Sequence, residues 1–267
     1  MIIAIDDPAD PRIEAYAQTR ERDLVGRQGG FIAEGEVVLR VLVSPDARCS
    51  PRSLLIAESR LERLAPLIER LDSACPVFVA SQPVMDAITG FHIHRGVLAH
   101  GLRPPDPGAA GLLEGLADGA LVLALFGIAN HDNMGGLFRN AAAFGADAVL
   151  IDAACCDPLY RKAIRVSVGA TLRVPFARLA ASEDALGTLA GAGFEALALT
   201  PTDGEPIEQM ARPGRAALLF GAEGPGLSPS LLRGARKVSI AMAAGWDSLN
   251  VAAASAVALH ELTRRRA

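Results

Sequence analysis

Lysine is nearly missing from this sequence. Only Lys162 and Lys237 stand among its 26 basic residues, and 30 acidic residues bring the formal net charge to −4. A protein that simply coats nucleic acid draws most of its affinity from neutralising phosphates, so this balance argues against that class and makes any RNA contact local. The arginines suit forked contacts to phosphate, and they equally fit the compositional habit of a GC-rich genome. Cysteine is scarce too. Cys49, Cys75, Cys155 and Cys156 show no C-x-x-C spacing, and an adjacent pair is a poor start for a zinc site or a disulfide framework, so all four read as free thiols. No apolar run is long enough to cross a bilayer; Ala120–Ile128 and Val251–Leu259 are the longest. The start, Met1-Ile2-Ile3-Ala4-Ile5-Asp6-Asp7, turns acidic where a signal peptide needs a basic flank and a longer apolar stretch. The expectation is a cytoplasmic protein without membrane contact.

With 51% hydrophobic residues, a chain of 267 can bury a sizeable core and has room for two domains. Arg103-Pro104-Pro105-Asp106-Pro107-Gly108-Ala109-Ala110-Gly111 carries three prolines and two glycines, a composition that resists helix and sheet. It sets expected domains at 1–102 and 117–267, with a linker at 103–116. In the first, apolar runs at Phe31–Ala33, Ser53–Ala57, Val77–Ala80 and Val97–Ala99 alternate with helical patterns at Val37–Val43 and Arg60–Leu71, which reads as a small α/β module. In the second, predicted strands at Leu121–Gly127, Ala148–Asp152, Ala196–Thr200, Ala216–Gly221 and Val238–Met242 alternate with helices. That pattern predicts an α/β fold: a mostly parallel sheet with helices on both faces.

Three segments of the second domain carry candidate chemistry. The first runs from Asn130 to Gly145. Met134, Leu137, Phe138, Ala141 and Ala142 fall at helical spacing, Asp132 or Asn133 is the expected N-cap, and Gly145 the stop. Gly135 and Gly136 in the first turns each cost about 1 kcal/mol relative to alanine. Close approach of a ligand or another backbone beside Arg139 would account for them, and so would tight helix-on-sheet packing with Arg139 in a surface ion pair. The second segment, Phe220-Gly221-Ala222-Glu223-Gly224-Pro225-Gly226-Leu227-Ser228, follows a strand where open α/β sheets bind ligands. It is not G-x-G-x-x-G, and Glu223 within the glycines would repel pyrophosphate while suiting a cationic or donating ligand. The plain alternative is a turn with Ser228 capping the next helix. In the third, a helix is expected from near Ser248, with Val251, Ala254, Ser255, Ala258 and Leu262 inward and enough small residues for close packing; an ordinary alanine-rich core helix reads the same way.

In this order the segments resemble the three signature motifs of the SpoU (TrmH-like) branch of the SPOUT superfamily of RNA ribose 2′-O-methyltransferases. The likeness rests on N-x-G-x-x-x-R-x-A-x-x-F-G from Asn133 to Gly145, F-G-x-E-G-x-G at Phe220–Gly226 and S-L-N-V-A at Ser248–Ala252, with Arg165-Val166-Ser167-Val168-Gly169-Ala170 similar to an intervening R-x-S-x-G-A. Phe31-Ile32-Ala33-Glu34-Gly35-Glu36 and Gly96-Val97-Leu98-Ala99 resemble the L30e-like substrate-binding module of many such enzymes. His131-Asp132 stands where many relatives have Pro-Gly, and Trp246-Asp247 precedes the third motif.

The resemblance implies a deep trefoil knot in the C-terminal domain, a homodimer formed through that domain with the active site completed across the interface, and an RNA substrate, ribosomal or transfer RNA, with the separate N-terminal module favouring ribosomal RNA. It implies S-adenosylmethionine bound by Leu199, Thr200, Pro201, Gly221, Glu223, Gly226, Ile240, Met242, Ser248, Leu249 and Asn250. Arg139 is the implied catalytic residue, with Asn133, Glu223, Ser248 and Asn250 beside it. A guanidinium stays protonated at neutral pH, so Arg139 reads as an electrostatic clamp on a developing alkoxide or a phosphate rather than as a base. Asn133 would orient Arg139 or the ribose, Glu223 would orient Arg139 or the donor's polar end, and Ser248 and Asn250 would fix the RNA and the methionine moiety. A sulfonium already carries an activated methyl, so no metal is expected. Other readings are a non-catalytic RNA-binding relative, a base-nitrogen methyltransferase of the same superfamily, and a nicotinamide-dependent oxidoreductase, which would lack its fingerprint here. His92 and His94 alone do not close a metal site. Arg264-Arg265-Arg266 reads as a helix-end charge cluster and tail.

Overall fold

The computed structural model describes residues 1–17, 29–90, 92–243 and 248–264. Trp246 and Asp247, and Arg265 and Arg266 of the terminal cluster, lie outside the described residues. The chain divides into two compact units, Met1–Pro104 with Asp157–Arg173, and Pro105–Cys156 with Val174–Ala267.

The first unit is built on a five-stranded sheet, β1 (Ile2–Ile5), β2 (Gly30–Glu34), β3 (Ser50–Ala57), β4 (Val77–Ala80) and β5 (Val97–Leu102), in the order β1-β4-β3-β5-β2. β1, β4 and β3 run parallel, and β5 runs antiparallel to both β3 and β2. Among the described residues, three α-helices, α1 (Glu36–Leu42), α2 (Leu61–Ile68) and α3 (Gln82–Thr89), connect the strands. Ile5, Leu55, Phe78, Met85 and Leu98 share one core cluster. β1 is the segment weighed above only as a leader: its alternate residues reach the core because it pairs with β4.

The second unit holds seven strands, β6 (Leu121–Leu125), β7 (Ala148–Ile151), β8 (Phe176–Arg178), β9 (Glu195–Leu199), β10 (Glu205–Pro206), β11 (Ala216–Phe220) and β12 (Arg236–Ser239). Their order is β10-β12-β9-β11-β6-β7-β8, and every pairing is parallel. Every residue of β6, β7 and β11 is buried, as expected for strands covered on both faces. The helices are α4 (Gly108–Glu114), α5 (His131–Phe144), α6 (Arg161–Val166), α7 (Ala185–Gly191), α8 (Pro229–Gly234) and α9 (Val251–Thr263), of which α6 groups with the first unit.

The segment read as a linker carries a helix. The prolines end at Pro107, before the first helical residue, and burial of Ala109, Leu112 and Leu113 supplies what the local composition withholds. Two further helix starts differ from the sequence reading. Asn130, not Asp132 or Asn133, caps α5, its Oδ1 accepting from the Asp132 N–H at 2.8 Å. α9 begins at Val251 behind Asn250 rather than near Ser248. Gly145 does end α5, in the left-handed region at φ 69°. No helix among the described residues is long and apolar enough to cross a membrane.

Candidate active site

Asn133 enters from the first turn of α5, Glu223 from the loop after β11, and Asn250 from the cap of α9. Asn133 Nδ2 donates to Glu223 Oε1 at 2.7 Å, and Asn250 Nδ2 donates to the same oxygen at 3.2 Å and to Asn133 Oδ1 at 2.9 Å. The amide orientations follow from chemistry. An ionised carboxylate only accepts, so both asparagines turn their NH2 groups to it. That leaves Asn250 Oδ1 to accept from Ala252 N–H at 2.9 Å and Ala253 N–H at 3.3 Å, capping α9. Asn133 is buried, whereas Glu223 and Asn250 are exposed. One buried amide therefore locks three segments of the fold to one carboxylate oxygen.

α5 and α9 hold this arrangement by close packing. A Cβ on Gly136 would stand 2.7 Å from Ala252 Cβ, so a glycine is needed where the helices meet. One turn on, Asn140 Nδ2 donates to Ala252 O at 2.6 Å and Ser255 Oγ at 2.8 Å. The small residues of the first and third segments thus face each other. In the second segment, a Cβ on Gly221 would fall 2.2 Å from Gly226 C, Gly224 and Gly226 take φ of 86° and 69°, and Gly226 N–H donates to Ala222 O at 3.0 Å. The loop folds back on itself in a way only glycine allows at these places. Ser228 Oγ also caps α8, accepting from Leu231 N–H at 3.4 Å, as the plain reading of that residue expects.

A cleft of about 560 Å³ opens at the carboxyl ends of β9, β11 and β12. Leu199, Thr200, Pro201, Gly221, Glu223, Gly226, Ile240, Met242, Ser248, Leu249 and Asn250 all line it. So do Phe220, Ala222, Gly224, Leu227, Val251 and Ala254, which belong to the second and third segments but were not named individually as cofactor-binding residues. Asn133 stands behind the wall, touching the cleft through Glu223. Arg139 is exposed, does not line the cleft and has no hydrogen bond or ion pair to another described residue. Glu223 therefore holds the asparagines rather than Arg139. Asn130 and Asn140 were missed as a cap and a helix tie; a polar residue one step before the apolar period is the signal that could have found the first.

Elsewhere, His92 Nδ1 lies 2.7 Å from Asp86 Oδ2, a local pairing, and the described residues contain no group of three or more His, Cys, Asp or Glu that could hold a metal.

A family model described as the SpoU rRNA Methylase family matches residues 120–260. A protein of Mycobacterium bovis named as an uncharacterized tRNA/rRNA methyltransferase is 40% identical, over 97% of this chain and 90% of its own length. One of the same description from Mycobacterium tuberculosis H37Rv is similar to the same extent. Among solved structures, an RNA 2′-O ribose methyltransferase superposes with a TM-score of 0.77 at 25% identity, over 100% of this chain and 99% of that one. An S-adenosylmethionine-bound rRNA methyltransferase of Sinorhizobium meliloti shares the fold, with a TM-score of 0.80 at 24% identity over 99% and 98% of the two chains.

Proposed function

The chain belongs to the SpoU rRNA methylase family of RNA methyltransferases, and from that premise we propose that it is a cytoplasmic enzyme transferring a methyl group from S-adenosylmethionine to a ribose 2′-hydroxyl of RNA, ribosomal RNA foremost. The observation that carries the reading is the meeting of Asn133, Glu223 and Asn250, one residue from each motif, in and behind the wall of one cleft. The solved 2′-O ribose methyltransferase to which the chain is similar supports the ribose as acceptor.

The cleft's chemistry fits the donor. Its volume lies within the usual range of about 300–1,000 Å³ for small-molecule sites. Leu199, Ile240, Met242 and Leu249 offer apolar walls for an adenine and a thioether, and the side chain that Gly221 lacks leaves the loop closed tightly around them. Glu223 offers a carboxylate to a cationic ligand, whereas a pyrophosphate would meet repulsion. Leu199–Pro201, Gly221–Gly226, Ile240–Met242 and Ser248–Asn250 would hold the cofactor, which supplies a methyl already activated on a sulfonium.

The chain's own residues then have distinct tasks. Asn133 and Asn250 fix Glu223 Oε1, so the other carboxylate oxygen is held in place for the donor's polar end. Ser248, and Asn250 through its main chain, fix the methionine moiety and the RNA. Arg139, with no bond to another described residue, is available to an anion. Its guanidinium steadies the 2′-oxygen as its proton leaves, and an RNA phosphate or water takes that proton.

Arg139 lies outside the cleft lining, which supports a homodimer in which a second copy completes the site. Val257, 40% exposed on α9, provides apolar surface for it. A trefoil knot belongs to the same proposal: α9 follows β12 yet packs on α5, which follows β6, with β9 and β11 lying between those two strands in the sheet. The first unit is proposed to be an L30e-like substrate-binding domain. The test is ribose-methylation mapping of ribosomal and transfer RNA from a strain lacking this protein, with methyl transfer in vitro to RNA lacking the mark. Loss of one 2′-O-methyl group, restored by the wild type, is expected; an unchanged map and no transfer would sink the reading.

A further inference from the structure

In the first unit a second pocket, of about 490 Å³, opens beside β3, β4 and β5, and its walls include Pro11, Arg52, Ser53, Phe78 and His100. Three features there go unexplained by folding alone. Nε2 of His100 is buried with no hydrogen-bond partner among the described residues, which is destabilising unless something else bonds to it. Burial, and after it the nearby Arg52, holds the imidazole below its usual pKa, so the ring is neutral at pH 7.

Beside it, Tyr16 Oη and Ser53 Oγ lie 2.7 Å apart, and Tyr16 Oη accepts from the His100 backbone N–H at 3.3 Å. Tyr16 is buried, so the arrangement that places its hydrogen has Tyr16 donating to Ser53. The serine hydrogen is then left for a ligand. Finally, the register of β3 against β5 shifts between Pro51 and Ser53, which makes Arg52 the extra residue of a β-bulge. Bulges re-aim a side chain, and they concentrate beside functional sites. Arg52 is exposed and has no ion pair to another described residue.

The charges limit what can bind. Arg12 is held by Asp10, and Glu14 also lines the pocket, so Arg52 is a single uncommitted cation at an otherwise near-neutral site. That does not suit a polyanion. It suits a flat heterocycle with donor and acceptor edges that carries one phosphate. We propose that this pocket receives an unpaired nucleotide of the RNA substrate, its base edge on His100 and Ser53 and its phosphate on Arg52. Single-stranded RNA is read in this manner, by base edges and apolar walls. The proposal rests on the RNA methyltransferase reading and adds a substrate contact away from the cleft.

Fluorescence anisotropy on the full-length protein, with labelled oligo(U), oligo(C) and oligo(A) RNA hexamers, tests it. Arg52→Ala should weaken binding roughly five- to tenfold and lower the slope of log affinity against log salt by about one. His100→Phe keeps a ring beside Tyr16 and removes the unpaired nitrogen. It should melt no lower than wild type, yet weaken binding roughly fivefold without changing the salt slope and narrow the differences among the hexamers. Wild-type affinity in both variants overturns the proposal, as does displacement of the hexamers by equimolar UMP, CMP or AMP, which would mark a free-nucleotide site. If the wild type methylates RNA while both variants bind and methylate normally, the pocket falls and the enzyme reading stands. If the hexamers bind through Arg52 and His100 but no RNA accepts a methyl, the pocket stands and the enzyme reading falls.

Discussion

Asn133 and Asn250, 117 positions apart, are joined by one 2.9 Å hydrogen bond, and both donate to the same oxygen of Glu223. The carboxylate is the acceptor for two amides, so its neighbours must be donors. Asn133→Asp puts an acceptor where the 2.7 Å donor stood. Two carboxylates at that distance cannot both stay ionised, and sharing one proton restores a hydrogen bond. Methyl transfer by Asn133→Asp should therefore fall by roughly a hundredfold at pH 8 and recover toward wild type as the pH drops to 6. Asn133→Ala should lose less and show no such recovery. Pre-steady-state transfer rates across that pH range decide it, and a pH-independent deficit in Asn133→Asp would count against the shared-acceptor arrangement.

Gly221 tests the cleft by its backbone. A Cβ there would meet Gly226 C at 2.2 Å and Leu227 N at 2.3 Å, main-chain atoms that no rotamer change can move aside. Gly221→Ala should weaken S-adenosylmethionine binding by at least about tenfold in calorimetry, because overpacking of this kind costs typically 1–3 kcal/mol and here distorts the loop itself. Unchanged affinity would mean that this loop does not hold the cofactor.

The parallel strands were legible because a strand buried on both faces is written as an unbroken apolar run, as in Leu121–Leu125 and Ala216–Phe220. β8 and β10 were not. They are three and two residues long at the edges of the sheet, and Glu205 is exposed, so neither leaves an apolar signature. The cleft-lining loops were named through the resemblance to the SpoU branch, and each follows a strand that the apolar runs had given. The bonds among Asn133, Glu223 and Asn250 were not, because no local pattern encodes a contact across 90 or 117 residues. The grouping of Asp157–Arg173 with the first unit was hidden for the same reason: Glu34 and Arg165 lie 3.6 Å apart, 131 positions from each other in sequence.

The thiols offer a check on both units. Burial pushes Cys49 up to about 12, and burial with the nearby Asp152 carboxylate pushes Cys155 up to about 12. At pH 8 only about one in ten thousand of either would be thiolate, the reactive form. A native-state titration with an aromatic disulfide reagent should label the half-buried Cys156 first and leave Cys49 and Cys155 until unfolding. The sign of the pH effect on stability follows. Unfolded thiols ionise near about 8.5, well below the folded groups, so stability is full below that pH and is lost as pH rises toward 12. Urea midpoints should fall between pH 8 and 10.5, and less so in Cys49→Ser.

Arg139 is the residue whose removal separates chemistry from folding. It is exposed on α5 and makes no bond to another described residue, so Arg139→Ala should leave the melting temperature within about a degree of wild type, as surface substitutions usually do. It lies outside the cleft, so S-adenosylmethionine affinity should also hold. Loss of a preorganised positive charge at a developing oxyanion costs about 10²–10³ in rate, and the transfer step should slow by that amount. Arg139→Lys keeps the charge but not the planar fork that grips an oxyanion or phosphate with two donors, and so should recover only a small part of the rate. Mixing Arg139→Ala chains with chains carrying Gly221→Ala then reports on the dimer. If one copy's arginine serves the other's cleft, mixed dimers hold one intact site and regain activity that neither variant has alone. If each copy serves itself, mixing recovers nothing, and the shared site is wrong even where the dimer is real.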